Sequence, residues 1–243
     1  MKFQQLATLA TSGAVVVFAV YTVKLLIAFL SDLESDRERR ISATPNGVLW
    51  DVGLIAQFVM QHSLLFRSGR LERCFGVLSR SVYVFTSCIS LVVLMYFWVP
   101  AADESALWSW NTTDSLLLSW GFTALHYVCW ALILGGCYIL DIGELVGFKQ
   151  VWYGVKGYGS PLQEKAWQFV RCLGHMRHPG LTTLAAILWM RPTMYLDRAV
   201  LALCFTIYTY VAHDVDVLDF EYVRRLCEQK ARSPRSEGSH ARR

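Results

Sequence analysis

"RHPGLTTLAAILWMRPTMYLDRAVLALCFTIYTYVAHD", residues 177–214, contains two apolar arms that are too short to be ordinary membrane spans. The arms, 180–196 and 199–212, each offer about 15 usable apolar residues, or roughly 22 Å of helix against a hydrocarbon core of about 30 Å. Arg191, Pro192, Asp197 and Arg198 stand around the junction, where a turn belongs. The pattern predicts a tight helical hairpin, opened by Arg177-His178-Pro179 and closed by a run of His and Asp.

Outward from this hairpin, four runs are long enough to cross a bilayer as helices: 8–30, 47–66, 81–100 and 115–140. The chain of 243 residues is 54% hydrophobic with a mean hydropathy of +0.35, a balance that fits a multi-pass membrane protein and not a soluble domain. The expected fold class is therefore an all-α polytopic membrane protein of about six helical passes. A single transmembrane domain occupies 1–229, and a disordered basic tail occupies 230–243. The first run has no small-residue cleavage site at its end and is expected to remain as a span.

Orientation follows from the basic residues. Of 23 Lys and Arg, 17 fall on one side of the alternating spans and 5 on the other, with Lys24 inside the first span. The positive-inside rule puts both termini, the loop 67–80 and the loop 141–178 in the cytosol or nucleoplasm. The sequon Asn111-Thr112-Thr113 then falls on the lumenal side as a glycosylation candidate. The loop 141–178 carries a capping box at Ser160-Pro161-Leu162-Gln163 and helical apolar spacing after it, which predicts an interfacial helix over 161–173. Before it, "WYGVKGYG" (152–159) reads as a mobile, membrane-skimming turn.

The net charge of +4 comes largely from the Arg-rich end, so no nucleic-acid surface is inferred. The seven cysteines lack CxxC or His-paired spacing, and no metal site is expected. No GxGxxG or Walker spacing is present. Trp50 and Asp51 read as interface anchors at the lumenal end of the second span. His126, in mid-span, reads as an inter-helix hydrogen bond.

Ionisable residues inside spans are costly and mark function or tight pairing. Gln61 and His62 end the second span, Tyr83 begins the third, and Asp141 and Glu144 follow the fourth, all on the cytosolic side. Pro179 suits a helix start, and with Arg177 and His178 the free N–H groups there form an anion site. His213, Asp214, Asp216, Asp219 and Tyr222 close the hairpin at the same depth. One cytosol-facing pocket is predicted, and two roles fit it. Arg177 pairs with Asp214 or Asp216 and staples the hairpin, or these groups bind a ligand.

The blocks "MQHSLL" (60–65), "CFGVLSRSVYV" (74–84), "GFKQVWYGVKGYGSPL" (147–162), "GHMRHPGL" (174–181) and "VAHDVDVLDFEYVRRL" (211–226) together resemble the nurim family of multi-pass inner nuclear membrane proteins. That family in turn is similar to the isoprenylcysteine carboxyl methyltransferases, which share an Arg-His-Pro motif before a short helical hairpin. The resemblance implies a methyltransferase-like membrane fold at the inner nuclear membrane. Its partners would be the lipid bilayer, a lipid or prenylated ligand, and nuclear-envelope proteins. By the same resemblance, Arg177, His178, Pro179, His213, Asp214 and Asp216 are the residues that would bind S-adenosylmethionine. The chain departs from the enzymes at Leu181, where they carry Tyr, and at His213-Asp214, where they carry an acidic pair followed by Phe-Gly. Three functions are open on these grounds. The first is a structural or interaction protein, or one with an unassigned small-molecule role. The second is a methyltransferase acting on a lipid or prenylated-cysteine carboxylate. The third is a non-catalytic module for an anionic lipid or nucleotide.

Overall fold

A computed structural model describes residues 3–31, 46–67, 70–101, 106–112, 114–139, 141–158, 161 and 180–212. Four helices are long and apolar enough to cross a bilayer: α1 (Phe3–Ser31), α2 (Gly47–Arg67), α4 (Ser79–Tyr96, preceded by the short α3, Arg70–Phe75, and a 3₁₀ turn, Gly76–Leu78) and α5 (Leu116–Ile139). The short helices α6 (Ile142–Leu145) and α7 (Phe148–Lys156) follow α5. The C-terminal hairpin is α8 (Leu181–Trp189) and α9 (Leu196–Ala212). Large apolar side chains face outward along the spans, Val17, Leu49, Leu117 and Trp120 among them, as lipid solvent permits.

Lipid tails are as apolar as leucine, so close packing and interhelical hydrogen bonds hold such a bundle together. On α1 the buried stripe is Ser12, Val15, Ala19 and Thr22, small side chains at helical spacing that let α4 approach closely. Ser12 Oγ meets Ser81 Oγ at 3.0 Å within that contact. The central core gathers Leu54, Ile55 and Phe58 of α2, Leu94 and Met95 of α4, Cys129 and Trp130 of α5, and Ile187, Leu188, Leu201 and Ala202 of the hairpin. His126 behaves as an inter-helix link: its Nε2 lies 2.8 Å from Ser31 Oγ and accepts from Trp130 Nε1 at 3.0 Å.

Several elements differ from the sequence reading. The third span stops at Tyr96 instead of 100, because the Val99 N–H is captured by Asp51 Oδ1 at 2.9 Å and Pro100 follows. Pro192 ends the first hairpin arm early. A short strand, β2 (Thr193–Tyr195), then pairs antiparallel with β1 (Ala106–Ser109), in the register Trp108↔Met194 and Ser109↔Thr193. Asp197 and Arg198 are not turn residues. They sit in the first turn of α9, 0% and 2% exposed. Asp51 is no interface anchor, being fully buried, whereas its neighbour Trp50 is exposed as expected. The stretch expected to be a mobile turn is helical through Lys156, with Gly157 as its left-handed cap. The predicted helix at 161–173 and the tail lie outside the described residues, apart from position 161.

α7 is locked in place by a glycine. Gly147 has φ +86°, and a Cβ there would lie 2.6 Å from Ser81 N and 2.8 Å from Ser81 Oγ. Gly157 shares the positive φ (+73°), but a Cβ there meets nothing within 4 Å. We expect Gly147→Ala to cost about 2 kcal/mol or more and Gly157→Ala about 1 kcal/mol. Apparent unfolding temperatures of the two variants in detergent check this, and equal losses would refute the close approach.

Candidate functional site

Gln57 and Gln61 lie on one face of α2, with His62 on the adjoining one. Opposite them, α4 runs antiparallel and presents Ser90, Thr86 and Tyr83. Gln57 Nε2 donates to Ser90 Oγ at 2.8 Å, and Gln61 Nε2 donates to Thr86 Oγ1 at 3.0 Å. The Tyr83 hydroxyl lies 3.0 Å from each imidazole nitrogen of His62 and 3.3 Å from its carbonyl oxygen. His62 also stacks on Phe58, with ring centroids 5.6 Å apart, and its Nδ1 is 3.4 Å from Ser87 Oγ. Three of the predicted pocket residues, Gln61, His62 and Tyr83, thus form one connected polar layer.

The layer extends through residues that sequence reasoning missed. The Arg80 guanidinium sits 5.4 Å from the Tyr83 ring centroid and donates from Nε to the Leu145 carbonyl at 3.1 Å. Its signal was its position, at the very start of a span on the basic side. On the other flank, Ser63 Oγ meets Tyr208 Oη of α9 at 3.2 Å. This contact sets the exit of α9, one turn beyond Tyr208, beside the end of α2 that carries His62. Asp141 takes a different part: at φ +71° it caps α6 by accepting from Glu144 N, and it accepts from Lys149 Nζ at 2.6 Å. That bond holds the Lys149 ammonium above the ordinary lysine pKa. Arg177, His178, Pro179, His213, Asp214, Asp216, Asp219 and Tyr222 lie outside the described residues.

Beneath the polar layer is a cavity of about 170 Å³ between α1, α2, α4, α8 and α9. Its wall is apolar (Leu26, Phe29, Leu91, Leu184, Leu188 and Phe205 among others), apart from His62 and Tyr208. Gln61 Oε1, next to His62 in the chain, is buried without a hydrogen-bond partner among the described residues.

The opposite end of the bundle is closed by a second, buried polar cluster. Trp98 Nε1 donates to Asp197 Oδ2 at 3.0 Å, and the Arg198 guanidinium lies 4.2 Å from the centroid of Phe29, itself a wall residue of the cavity. Arg191 Nη1 donates to the Leu30 carbonyl at 3.2 Å, and Trp108 Nε1 donates to the Arg191 carbonyl. Beyond the strand pair, Asn111 is exposed and donates to Asp114 Oδ2 at 2.6 Å.

The chain is similar to nurim from several vertebrates. Nurim of Bos taurus is 38% identical over 191 residues, covering 75% of this chain and 71% of that protein. For nurim of Danio rerio the identity is 38% over 199 residues, with 79% and 71% covered. For nurim of Homo sapiens it is 38% over 189 residues, with 74% and 71% covered. No family model matches the chain, and no solved structure matches it.

The two polar ends should respond differently to mutation. Asp197→Ala removes a carboxylate from beside a buried guanidinium and is expected to cost about 3–5 kcal/mol. Tyr83→Phe removes one hydroxyl from a layer that keeps its other bonds and is expected to cost about 1 kcal/mol. Thermal unfolding of both variants in detergent checks the order; a larger loss in Tyr83→Phe would overturn it.

Proposed function

Because the chain belongs to the nurim family, we propose that it is a multi-pass inner nuclear membrane protein whose bundle holds one amphipathic small molecule. The apolar tail of the ligand occupies the cavity, and its polar head meets the layer of Gln61, His62, Tyr83 and Tyr208. That layer faces the cytosol or nucleoplasm, with both chain termini on the same side. The observation that carries this reading is the cavity itself: apolar along its length, floored by Phe29, and polar only where His62 and Tyr208 enter its wall. Such a shape suits a single acyl or isoprenoid chain more than a nucleotide, whose base and phosphates would need many polar partners along the site.

In this reading Arg177, His178, Pro179, His213, Asp214 and Asp216 are the residues that bind S-adenosylmethionine, as the family resemblance implies. With S-adenosylmethionine bound there, the site would carry a methyl donor next to the head of the ligand. Methyl transfer to a carboxylate head needs alignment and no general base.

The test is mass spectrometry of lipids that co-purify with the full chain, followed by titration of the emptied protein with farnesol and palmitate. We expect one bound chain per protein, and about tenfold or greater loss in Leu184→Trp, which fills the cavity with a larger side chain while the protein stays folded. No chain bound to folded protein would leave the structural or interaction role. Parallel calorimetry with S-adenosylmethionine, on the wild type and on Arg177→Ala and Asp216→Ala, decides the chemistry. Binding lost in both variants supports a methyltransferase, and no binding up to millimolar ligand opposes it.

A further inference from the structure

α7 turns its apolar stripe of Val151 and Val155 inward and its other face outward. The outward face carries Lys149, Trp152, Tyr153 and Lys156, at positions i, i+3, i+4 and i+7. Trp152 and Lys156 are exposed. An open cleft of about 430 Å³ lies alongside, lined by Gly143 of α6 with Phe148, Lys149, Trp152 and Tyr153. The Lys156 ammonium lies 5.1 Å from the Trp152 ring centroid and the Lys149 ammonium 5.8 Å from that of Tyr153.

The depth of this face is set by α1. Gln5 Nε2 donates to the Val155 carbonyl at 3.4 Å, so α7 lies against the first turn of a 29-residue spanning helix. At 1.5 Å per residue such a helix is roughly 43 Å long, which places its first turn at headgroup level when its middle spans the hydrocarbon core. Exposed apolar residues surround α7 up to this level: Phe3 and Leu6 on α1, Phe75 and Val77 below α4. The lysines therefore stand where the apolar belt ends. Asp141 bonds Lys149, but among the described residues no carboxylate pairs with Lys156.

We propose that the Lys149–Trp152–Tyr153–Lys156 face and its cleft bind the negatively charged headgroup of an anionic phospholipid in the adjacent leaflet. The aromatic rings hold the glycerol and upper acyl region, as amphipathic rings do at a membrane interface, and the ammonium groups hold the charge. The site is separate from the bundle cavity, so the two can be tested apart.

The full chain, purified in a zwitterionic detergent, is titrated with dioleoylphosphatidylserine or dioleoylphosphatidylcholine, and bound lipids are counted by native mass spectrometry. We expect the wild type to prefer phosphatidylserine, and each of Lys149→Gln and Lys156→Gln to reduce that preference about fivefold. Lys156→Arg should retain it, and Arg73→Gln on the neighbouring α3 should leave it unchanged. If Lys149→Gln misfolds, Lys156→Gln alone decides, because its side chain is exposed. Equal binding of the two lipids by the folded wild type would overturn the proposal and leave the cleft to a protein partner. A preference that survives the lysine changes, or falls equally with Arg73→Gln, would also overturn it by assigning the effect to a diffuse positive field.

Discussion

The bundle depends on an antiparallel ladder of polar side chains between α2 and α4. Gln57 with Ser90, Gln61 with Thr86, and His62 with Tyr83 form successive rungs, about one helical turn apart along α4, with the last two drawn from neighbouring residues of α2. In a bilayer there is no hydrophobic drive to press two apolar helices together, so such bonds and close packing must specify the pairing. A slip of α4 by one residue would rotate every partner by about 100° and leave the buried amides of α2 facing hydrocarbon. One of the residues that fix the register, His62, also enters the wall of the cavity. A change at His62 will therefore alter both the helix pairing and the cavity.

The two ends of the cavity are built from different chemistry. At the ladder end the groups are an imidazole, hydroxyls and amides, several of them part-exposed and able to exchange partners with a ligand. At the other end the groups are fully buried ionisable side chains, Asp51, Asp197 and Arg198, fenced by Trp98 and Phe29. Buried ions are tolerated only when held by fixed partners, and the strand pair of 106–109 with 193–195 adds a lid of backbone hydrogen bonds beside them. This asymmetry makes one end rigid and the other adaptable, and it is at the adaptable end that the proposed ligand places its polar head.

Much of this was legible in the sequence. The four spans follow from apolar length alone, and the family resemblance rested on blocks such as "MQHSLL" and "CFGVLSRSVYV", which hold His62 and Tyr83. Gln61, His62 and Tyr83 could be placed at one depth because hydropathy and the alternation of spans constrain depth well. Partners were less legible. Asp51 lies four residues into a span and looks like a boundary residue by position, whereas its carboxylate reaches across to Val99 after α4. Asp197 and Arg198 follow a proline and resemble a turn, yet the turn is completed earlier by an extended segment whose hydrogen-bond partner lies 84 residues away at Ser109. Long-range strand pairing of three or four residues leaves no periodic trace in either segment. Gly157 misled in the opposite direction: glycines at 154, 157 and 159 signal a loop, but Gly154 is required by contact with Val77 and only Gly157 ends the helix.

The short hairpin can now be understood through what lies beneath its tip. α8 has only 9 residues, about 14 Å of helix, and α9 has 17, about 25 Å. Neither crosses a full hydrocarbon core as a straight helix. A hairpin of full length would carry its turn into water, where Asp197 and Arg198 would be solvated and need no partners. Shortening the first arm with Pro192 brings the turn inside the protein. The charges of the second arm must then be met by Trp98 and by the ring of Phe29. The buried cluster is therefore a consequence of the short arm, and in turn it anchors the hairpin against α1, α2 and α4. That anchorage holds α9 with Phe205 and Tyr208 turned to the cavity.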